Sequence, residues 1–522
     1  MGKNQMAKYK DYSYDQGVFL PVFFDKQILP GTFEYSINHL IDNEIDLSVF
    51  DKRYNNDKTG APAYDPRILL KIVLFAYSRG ITSSRKIAQC CEENIIFMAL
   101  SAHTRPHFTT IADFISTQDE QTTALFQEVI LICDEMGLIG REMFAVDGCK
   151  LPSNASKEWS GTKEDFQRKA IKLEKAIERI IEKHRQIDDI EEKNNIIETD
   201  TQYIATLEKQ VKKIREWTNK NDDRIGSMGK PVKSNITDNE SAKMKTSKSM
   251  VQGYNGVAMV DDKHQVIVGA EAFGKGPEQD LLKPMIDTTK ENLEDDVFDD
   301  TKLTADSGFH TKNNMDMLAE EGIDAYVADG RFRKRDPRFD NCGRYKEEYK
   351  KELLRKGKRT GLFSKKDFYF DPEFKFCRCP AGKRLYRSGN GLDTKGNYVT
   401  RFKAPKSACG PCKLRVKCLR HPDTSPKRSV AYFHVWPSGY GRKQPPETAM
   451  EKMKQKIDSP SGRQIYSKRL GTVEPVFGNI RHTLRLDRFS LRGKLKVNSQ
   501  WLLFCTLHNL RKIHRFGSVA VT

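Results

Sequence analysis

The chain has 522 residues, with 89 Lys or Arg against 71 Asp or Glu, and a formal net charge of +18. This length exceeds that of one ordinary domain and predicts two to four structural units. No stretch reaches the roughly 18 apolar residues of a membrane span, and the N-terminus lacks an apolar signal region. We therefore expect an intracellular protein with no membrane partner, whose positive charge favours a polyanion such as DNA.

The N-terminal part, residues 1–138, is predicted to be an all-α domain after an extended beginning. Ser83-Ser84-Arg85 and Thr109-Thr110 have the composition of helix starts. The two helices they begin are joined by residues 103–108. Two interpretations stay open: a helix-turn-helix that reads DNA, and a plain helical bundle used for dimerisation.

A first carboxylate of interest lies in the segment FAVDGCKLP. The apolar run 144–146 is followed by Asp147 and then by Gly148. This pattern predicts a strand that ends at Asp147. An isolated Asp in such a place is more often a turn former or a helix cap than a metal ligand.

Residues 157–219 form a highly charged insertion with a helical apolar pattern. Apolar residues recur at alternating steps of four and three, with His184 in one intervening position: Leu173, Ile177, Ile180 and Ile187, then Ile204, Leu207, Val211 and Ile214. The pattern predicts two helices, joined near residues 194–200, that form a coiled-coil hairpin. We interpret this stripe as a structural seam and His184 as a polar interruption of it.

The following segment predicts a mixed sheet flanked by helices. Residues 251–260 and 265–271 are expected to be strands joined by a turn, and residues 324–328 a further strand. Thr237 and Glu240 have capping-box spacing, which predicts a helix start near Asp238.

A second carboxylate, Asp306, lies in KLTADSGFH, where alternating apolar residues precede it and Ser307-Gly308 follows. Asp306 is therefore expected directly after a strand. The flanking segments 278–293 and 311–321 are predicted to be helices.

Residues 331–460 are predicted to be an insertion that is rich in basic residues and cysteines. Its segment 331–360 carries 13 Lys or Arg against 5 acids. Five cysteines follow in two clusters: Cys377, Cys379, Cys409, Cys412 and Cys418. The C-x2-C pair suits a structural zinc ion (Zn²⁺), although CGPC also resembles a redox motif. Reduced cysteines without a ligand are the alternative.

The third acidic residue lies in IYSKRLGTVEPVFGNIRHTLRL, within a basic segment, 461–496, that has 9 Lys or Arg against 2 acids. Pro475 directly follows Glu474, and proline disfavours helix at and before its own position. We therefore expect a kink or a helix start near Glu474.

At this point the chain resembles the DDE transposases of bacterial insertion sequences. The resemblance is to the branch whose third acid lies in a Y-x2-R-x3-E-x6-K signature, with its positions taken as Tyr466, Arg469, Glu474 and Arg481. Arginine replaces lysine in the last position. Residues 64–115, 250–273 and 502–513 also resemble the family, so the likeness covers most of residues 20–515.

The resemblance implies an α/β fold with a ribonuclease-H-like mixed sheet. The catalytic core would comprise residues 139–156, 220–330 and 461–515, beside the helical domain and the two insertions. Asp147, Asp306 and Glu474 would be the catalytic acids and would bind two Mg²⁺ or Mn²⁺ ions. Tyr466, Arg469 and Arg481 would contact DNA phosphate.

The function expected from the resemblance is metal-dependent cleavage of DNA at the ends of a mobile element, followed by strand transfer. The partners would be double-stranded DNA, as terminal inverted repeats and as target, and a second copy of the chain in a synaptic homodimer. We expect the protein in the bacterial cytoplasm, on the nucleoid when bound to DNA. Two alternatives are a ribonuclease-H-like nuclease without joining activity and a catalytically silent DNA-binding protein.

Overall fold

The structure is a computed structural model that describes residues 21–53, 62–185, 190–226, 229–246, 249–336, 362–392, 398–433 and 448–517. The chain divides into two compact units: residues 1–330 with 449–522, and residues 331–448. An extended beginning is expected for residues 1–30, of which residues 1–20 lie outside the described residues and residues 21–30 contain one short 3-10 turn, Phe24–Lys26. Most of the basic segment 331–360 also lies outside the described residues.

The first unit begins with a helical part, as the sequence predicts. Its helices are α1 (Phe33–His39), α2 (Pro66–Ser78), α3 (Ser84–Glu93), α4 (Ile95–Leu100), α5 (Phe108–Ser116) and α6 (Asp119–Glu135). Helix α2 has Asp65 as its N-cap and Pro66 in its first turn, and it is buried from Leu69 to Tyr77. Because nine consecutive residues of α2 are buried, with Lys71 among them paired to Asp42, this helix forms the centre of the helical part. The predicted start after Ser83 is observed, and α4 intervenes before α5.

Strand β1 (Met143–Pro152) leads into the charged insertion. The insertion contains β2 (Ser160–Gly161), α7 (Lys163–Arg185) and α8 (Ile190–Lys220). Three short strands follow it: β3 (Arg224–Ile225), β4 (Pro231–Val232) and β5 (Ser234–Asn235). Helices α7 and α8 pack on each other, and the predicted seam residues Leu207, Val211 and Ile214 are buried. The predicted connection at 194–200 is wrong, since α8 already begins at Ile190. The side chain of His184 lies outside the described residues.

The central sheet of the first unit has the predicted mixed topology. It is built from β1 and from β6 (Ala242–Lys245), β7 (Met250–Asp261), β8 (Ile267–Phe273), β9 (Lys302–Ala305) and β10 (Ala325–Val327), with helices α9 (Leu282–Asn292) and α10 (Lys312–Glu320). The order is β10-β9-β1-β7, and β6 and β8 both pair with the outer edge of β7. Strand β7 is antiparallel to β1, whereas β9 is parallel to β1 and to β10.

Two local predictions in this region are wrong. No helix starts at Asp238. Instead, Asn235 Oδ1 accepts hydrogen bonds from the backbone of Thr237 and Asp238, and Glu240 reaches Lys494 N rather than capping its own segment. Helix α9 begins at Leu282, four residues later than predicted, and Glu278 lies in the turn before it.

The second unit contains a five-stranded antiparallel sheet. Its elements are β11 (Tyr369–Phe370), β12 (Phe376–Arg378), β13 (Arg384–Leu392), β14 (Tyr398–Lys403), α11 (Lys406–Cys409), α12 (Arg415–Cys418) and β15 (Ser429–Phe433). The strands pair in chain order. Among the described residues of this unit, one buried apolar cluster contains Phe368, Cys377, Leu385, Phe402, Ala404 and Val430.

The chain then completes the first unit with α13 (Ala449–Asp458), α14 (Pro460–Gly478) and α15 (Lys494–Phe516). The sequence placed residues 449–458 in the insertion, but α13 packs on β10 and α10 of the first unit. Helix α15 is buried along most of its length, and the Trp501 indole donates to Val257 O across 3.1 Å.

Helix α14 does not start near Glu474, because Ser459 caps its beginning and Pro475 lies inside it. Proline has no N–H to give to the carbonyl of Gly471, one turn earlier. Gln265 Nε2 donates to that carbonyl instead, at 2.9 Å. A side chain from the β7–β8 turn therefore satisfies the group that the proline leaves unpaired.

Candidate active site

Asp147 and Asp306 lie side by side at the edge where β1 and β9 stop pairing. Val146 is paired with Ala305, and each Asp is the next residue of its strand. Neighbouring strands are about 4.8 Å apart, so the two carboxylates are close at the same level of the sheet. The prediction that β1 ends at Asp147 is wrong, because antiparallel pairing with β7 continues to Pro152. Only the parallel pairing ends there.

Arg469 extends from α14 to the carboxylate of Asp147. Its Nη1 donates to Asp147 Oδ2 at 2.9 Å, and Gly148 N donates to Oδ1 at 2.8 Å. Burial raises the pKa of Asp147, the Arg469 guanidinium opposes that rise, and the charge of Asp306 adds to it. The ring of Tyr466 lies 5.9 Å from the guanidinium carbon. Arg469 is thus held by the first acid and by a signature tyrosine.

Glu278 is a third carboxylate at this site, which sequence analysis missed. Its Oε1 is 3.0 Å from Lys150 Nζ, and its side chain is 13% exposed. Burial raises the pKa of Glu278, Lys150 opposes the rise, and the charges of Asp306 and Asp147 contribute to it. The only local signal is an acid between a strand and a helix, which is too common to single it out.

Two glycines, Gly308 and Gly148, leave space for the side chains of this site to lie close together. A Cβ at Gly308 would lie 2.6 Å from Glu278 Oε2 and 2.9 Å from Asp306 Oδ1, so both carboxylates border the same point. A Cβ at Gly148 would lie 2.7 Å from Asn255 Oδ1. Asn255 is fully buried, and this oxygen has no hydrogen-bond partner among the described residues. Asn255 Nδ2 is 3.4 Å from Glu278 Oε1, so the amide belongs to the same group.

Glu474 lies on a different face of α14 from Arg469. Four residues separate the two in this chain, one more than in the signature, so the spacing taken from the resemblance is wrong by one. Five helical steps turn a side chain by about 140°, whereas four would nearly restore its direction. Accordingly Arg469 is buried and Glu474 is exposed. Val473 occupies the position that the signature gives to the acid, and it is buried.

Arg481 lies beside β1, near the first acid. Burial raises the pKa of the Cys149 thiol, and the Arg481 guanidinium, which hydrogen-bonds that thiol, opposes the rise. Cys149 is two residues beyond Asp147 on the same strand. The structure therefore groups Arg469 and Arg481 along β1 with Asp147, Asp306 and Glu278, whereas Glu474 is exposed on another face of α14.

The predicted zinc ligands all belong to the second unit and fall into two sets. Cys379, Cys409, Cys412 and Cys418 line one cavity, whereas Cys377 is fully buried in the apolar cluster of that unit. Among the described residues of both units, no group of three His, Cys, Asp or Glu side chains is already arranged to bind a metal ion.

Two family models match the chain. Residues 22–117 match a transposase domain (DUF772), and residues 378–514 match a transposase DDE domain. The chain belongs to the DDE transposases of insertion elements. No curated protein matches it. The DDE match contains Tyr466, Arg469, Glu474 and Arg481, and it begins after both aspartates.

Membership fixes the general properties of this transposase. DDE transposases act on DNA as polynucleotidyl transferases, and their catalytic domain works with divalent metal ions. Across the described parts of the transposase, no helix combines the length and apolar character needed to cross a membrane.

Proposed function

We propose that this transposase cuts DNA at the ends of its element and joins the freed 3′-hydroxyl to target DNA, at a site centred on Asp147 and Asp306. The observation that supports the proposal is the adjacency of these two acids at the end of the β1–β9 pairing, with Arg469 bonded to one of them. Residues from three distant parts of the chain converge there. A turn or a helix cap would need no such convergence.

The donors at this site fit Mg²⁺ or Mn²⁺. Both ions prefer oxygen ligands, and the site offers the carboxylates of Asp147, Asp306 and Glu278. Asn255 Oδ1, buried without a partner, adds an oxygen on the Gly148 side. These residues would hold two ions, which when bound stabilise charge on the attacking and leaving oxygens of a phosphodiester.

The surrounding cations have different proposed roles. Arg469 is committed to Asp147 and orients that carboxylate, and Lys150 does the same for Glu278. Arg481 and Tyr466 are the proposed contacts to DNA phosphate near the scissile bond. The described part of the basic segment 461–496 would extend this contact along the DNA. Pairing of two terminal inverted repeats implies a synaptic homodimer, acting on the nucleoid in the cytoplasm.

The third acid has two candidates. Resemblance to the family supports Glu474. Its position beside Asp306 supports Glu278. The test measures strand transfer with Mg²⁺ on labelled DNA that carries the element ends. It compares wild type with the variants Glu278→Gln and Glu474→Gln. The variant that abolishes joining identifies the third acid, and loss in both assigns four acids to the site. Full joining by both variants contradicts a three-acid site.

The same assay separates the two alternative functions. Cleaved ends without joined product support a nuclease that lacks joining activity. Binding without cleavage in the wild type supports a catalytically silent DNA-binding protein. Asp147→Asn should abolish cleavage and joining together, and a variant that retained full joining would defeat the proposed site.

A further inference from the structure

Four of the five cysteines in the second unit surround one small cavity. Cys379, Cys409, Cys412 and Cys418 line a space of ≈ 30 Å³ together with Pro380 and Leu414. The same four cysteines are free of disulfide bonds.

The turns that carry these thiols suit a chelating site. Cys379 begins a tight turn closed by Gly382 N donating to Cys379 O at 2.8 Å, and Gly382 has φ +73°, which favours glycine. Cys409 ends α11, and Cys412 follows after Gly410 and Pro411 in C-x2-C spacing. The Cys379 turn supplies one sulfur, the Cys409–Cys412 loop two, and Cys418 at the end of α12 the fourth.

Two arginines fix the backbone of these segments without using the sulfurs. The Arg415 guanidinium donates to the carbonyls of Cys409 at 2.9 Å and Ser425 at 2.8 Å. Arg428 donates to Cys418 O at 3.1 Å. Four thiolates around a divalent ion leave a net charge of −2, and these guanidinium groups lie where they would balance it.

Cys377 has a different environment. It is 0% exposed, is paired in the sheet with Leu385, and packs in the apolar core. A cysteine buried in such a core behaves as a small apolar side chain. With Cys377 in the core, four sulfurs remain for the four ligand positions of a zinc ion.

We propose that Cys379, Cys409, Cys412 and Cys418 bind one structural zinc ion as four thiolates, and that Cys377 is not a ligand. Binding displaces the four thiol protons, and rotation of the side chains brings the sulfurs to the Zn–S distance of about 2.3 Å. A metal ion held by four thiolates would cross-link three segments of this unit and stabilise its fold. This inference concerns the stability of the second unit and is independent of the transposition chemistry.

The test uses the full-length protein, purified without added chelator, and measures metal content by mass spectrometry. Wild type and Cys377→Ala should each contain one zinc per chain, and Cys412→Ser should contain less than a tenth of that. Zinc well below one per chain in wild type overturns the site. Equal loss in Cys377→Ala and Cys412→Ser overturns the choice of four ligands.

A second measurement on wild type avoids dependence on how a variant folds. Replacement of zinc by Co²⁺ should give the intense absorption of a tetrahedral cobalt–thiolate centre, and chelation should expose four additional thiols to a thiol reagent. Loss of two thiols on air oxidation, with no cobalt absorption, indicates a Cys409–Cys412 redox pair and overturns the proposal.

Discussion

Arg469 and Asp147 lie 322 positions apart in the chain, and the guanidinium of one donates a 2.9 Å hydrogen bond to the carboxylate of the other. Both side chains are largely buried, with 8% and 22% exposure. This ion pair joins α14 to β1 at the edge where Asp147 and Asp306 meet. The helix with the signature residues is thereby attached to β1 through the carboxylate that we propose to be catalytic.

Replacing Arg469 by Met should destabilise the protein. The change leaves the Asp147 carboxylate buried without its partner, and such a loss lowers the free energy of unfolding by about 3–5 kcal/mol. Urea unfolding near neutral pH measures the effect. The control is Lys468→Met on the exposed face of the same helix, which should change stability by less than about 0.5 kcal/mol. Equal effects in the two variants would show that the ion pair contributes nothing specific.

Asp147→Asn should separate activity from stability. Folding raises the pKa of Asp147, so the ionised carboxylate is less favourable in the folded than in the unfolded chain at neutral pH. An asparagine oxygen can still accept from Arg469 and removes repulsion with Asp306. The variant also leaves the buried Arg469 guanidinium without its counter-charge, which opposes this gain. We therefore expect a loss of stability well below that of Arg469→Met, with strand transfer reduced by at least about 100-fold. A loss as large as that of Arg469→Met would contradict this account of the charge.

Gly308→Ala should impair the site through crowding. The new Cβ would lie 2.6 Å from Glu278 Oε2 and 2.9 Å from Asp306 Oδ1, so the two carboxylates must move apart. We expect joining to fall by about 10-fold or more, since small displacements of catalytic groups have large effects. Gly471→Ala is the control, because no heavy atom lies within 4 Å of its added Cβ. Unimpaired joining by Gly308→Ala would remove Glu278 from the site.

His508 should make stability depend on pH below neutrality. Its Nε2 donates to Gln265 O and its Nδ1 accepts from Asn479 Nδ2, both at 2.9 Å, which requires the neutral ring. Burial lowers the pKa of His508 from 6.5 to about 3. The unfolded chain therefore takes up a proton that the folded chain does not. The stabilisation is fully present above pH 6.5 and is lost as the pH falls toward 3.

The corresponding measurement is the free energy of unfolding at several pH values. Between about pH 6 and about pH 5 the His508 contribution should approach 1.4 kcal/mol per pH unit. His508→Gln should flatten the pH dependence by that amount, while His482→Gln, at an exposed position, should leave it unchanged. Parallel profiles for wild type and His508→Gln would exclude the buried histidine as the cause.

The sequence by itself determined the helices and strands that are predicted from the pattern of neighbouring residues. The alternating and helical apolar patterns around β7, β8, α7, α8 and α10 predicted elements that the structure confirms, because each pattern is set by which face of its own element is buried. The strand before Asp306 was predicted for the same reason. Predictions from neighbouring residues failed where a distant group formed the bond instead. Glu240, for example, accepts a hydrogen bond from Lys494 N and does not cap a helix of its own segment.

Only the tertiary structure decided which of these residues meet. Glu278 joins Asp147 and Asp306 because a turn before α9 folds over Gly308, and no spacing in the chain encodes that approach. The sequence contains one added residue between Arg469 and Glu474, but only the packing of α14 on the sheet shows that Arg469 is buried and Glu474 exposed. Likewise, the cavity separates four cysteines from Cys377. Periodicity reports burial along one element, whereas a site depends on distances between elements, and these are fixed by packing.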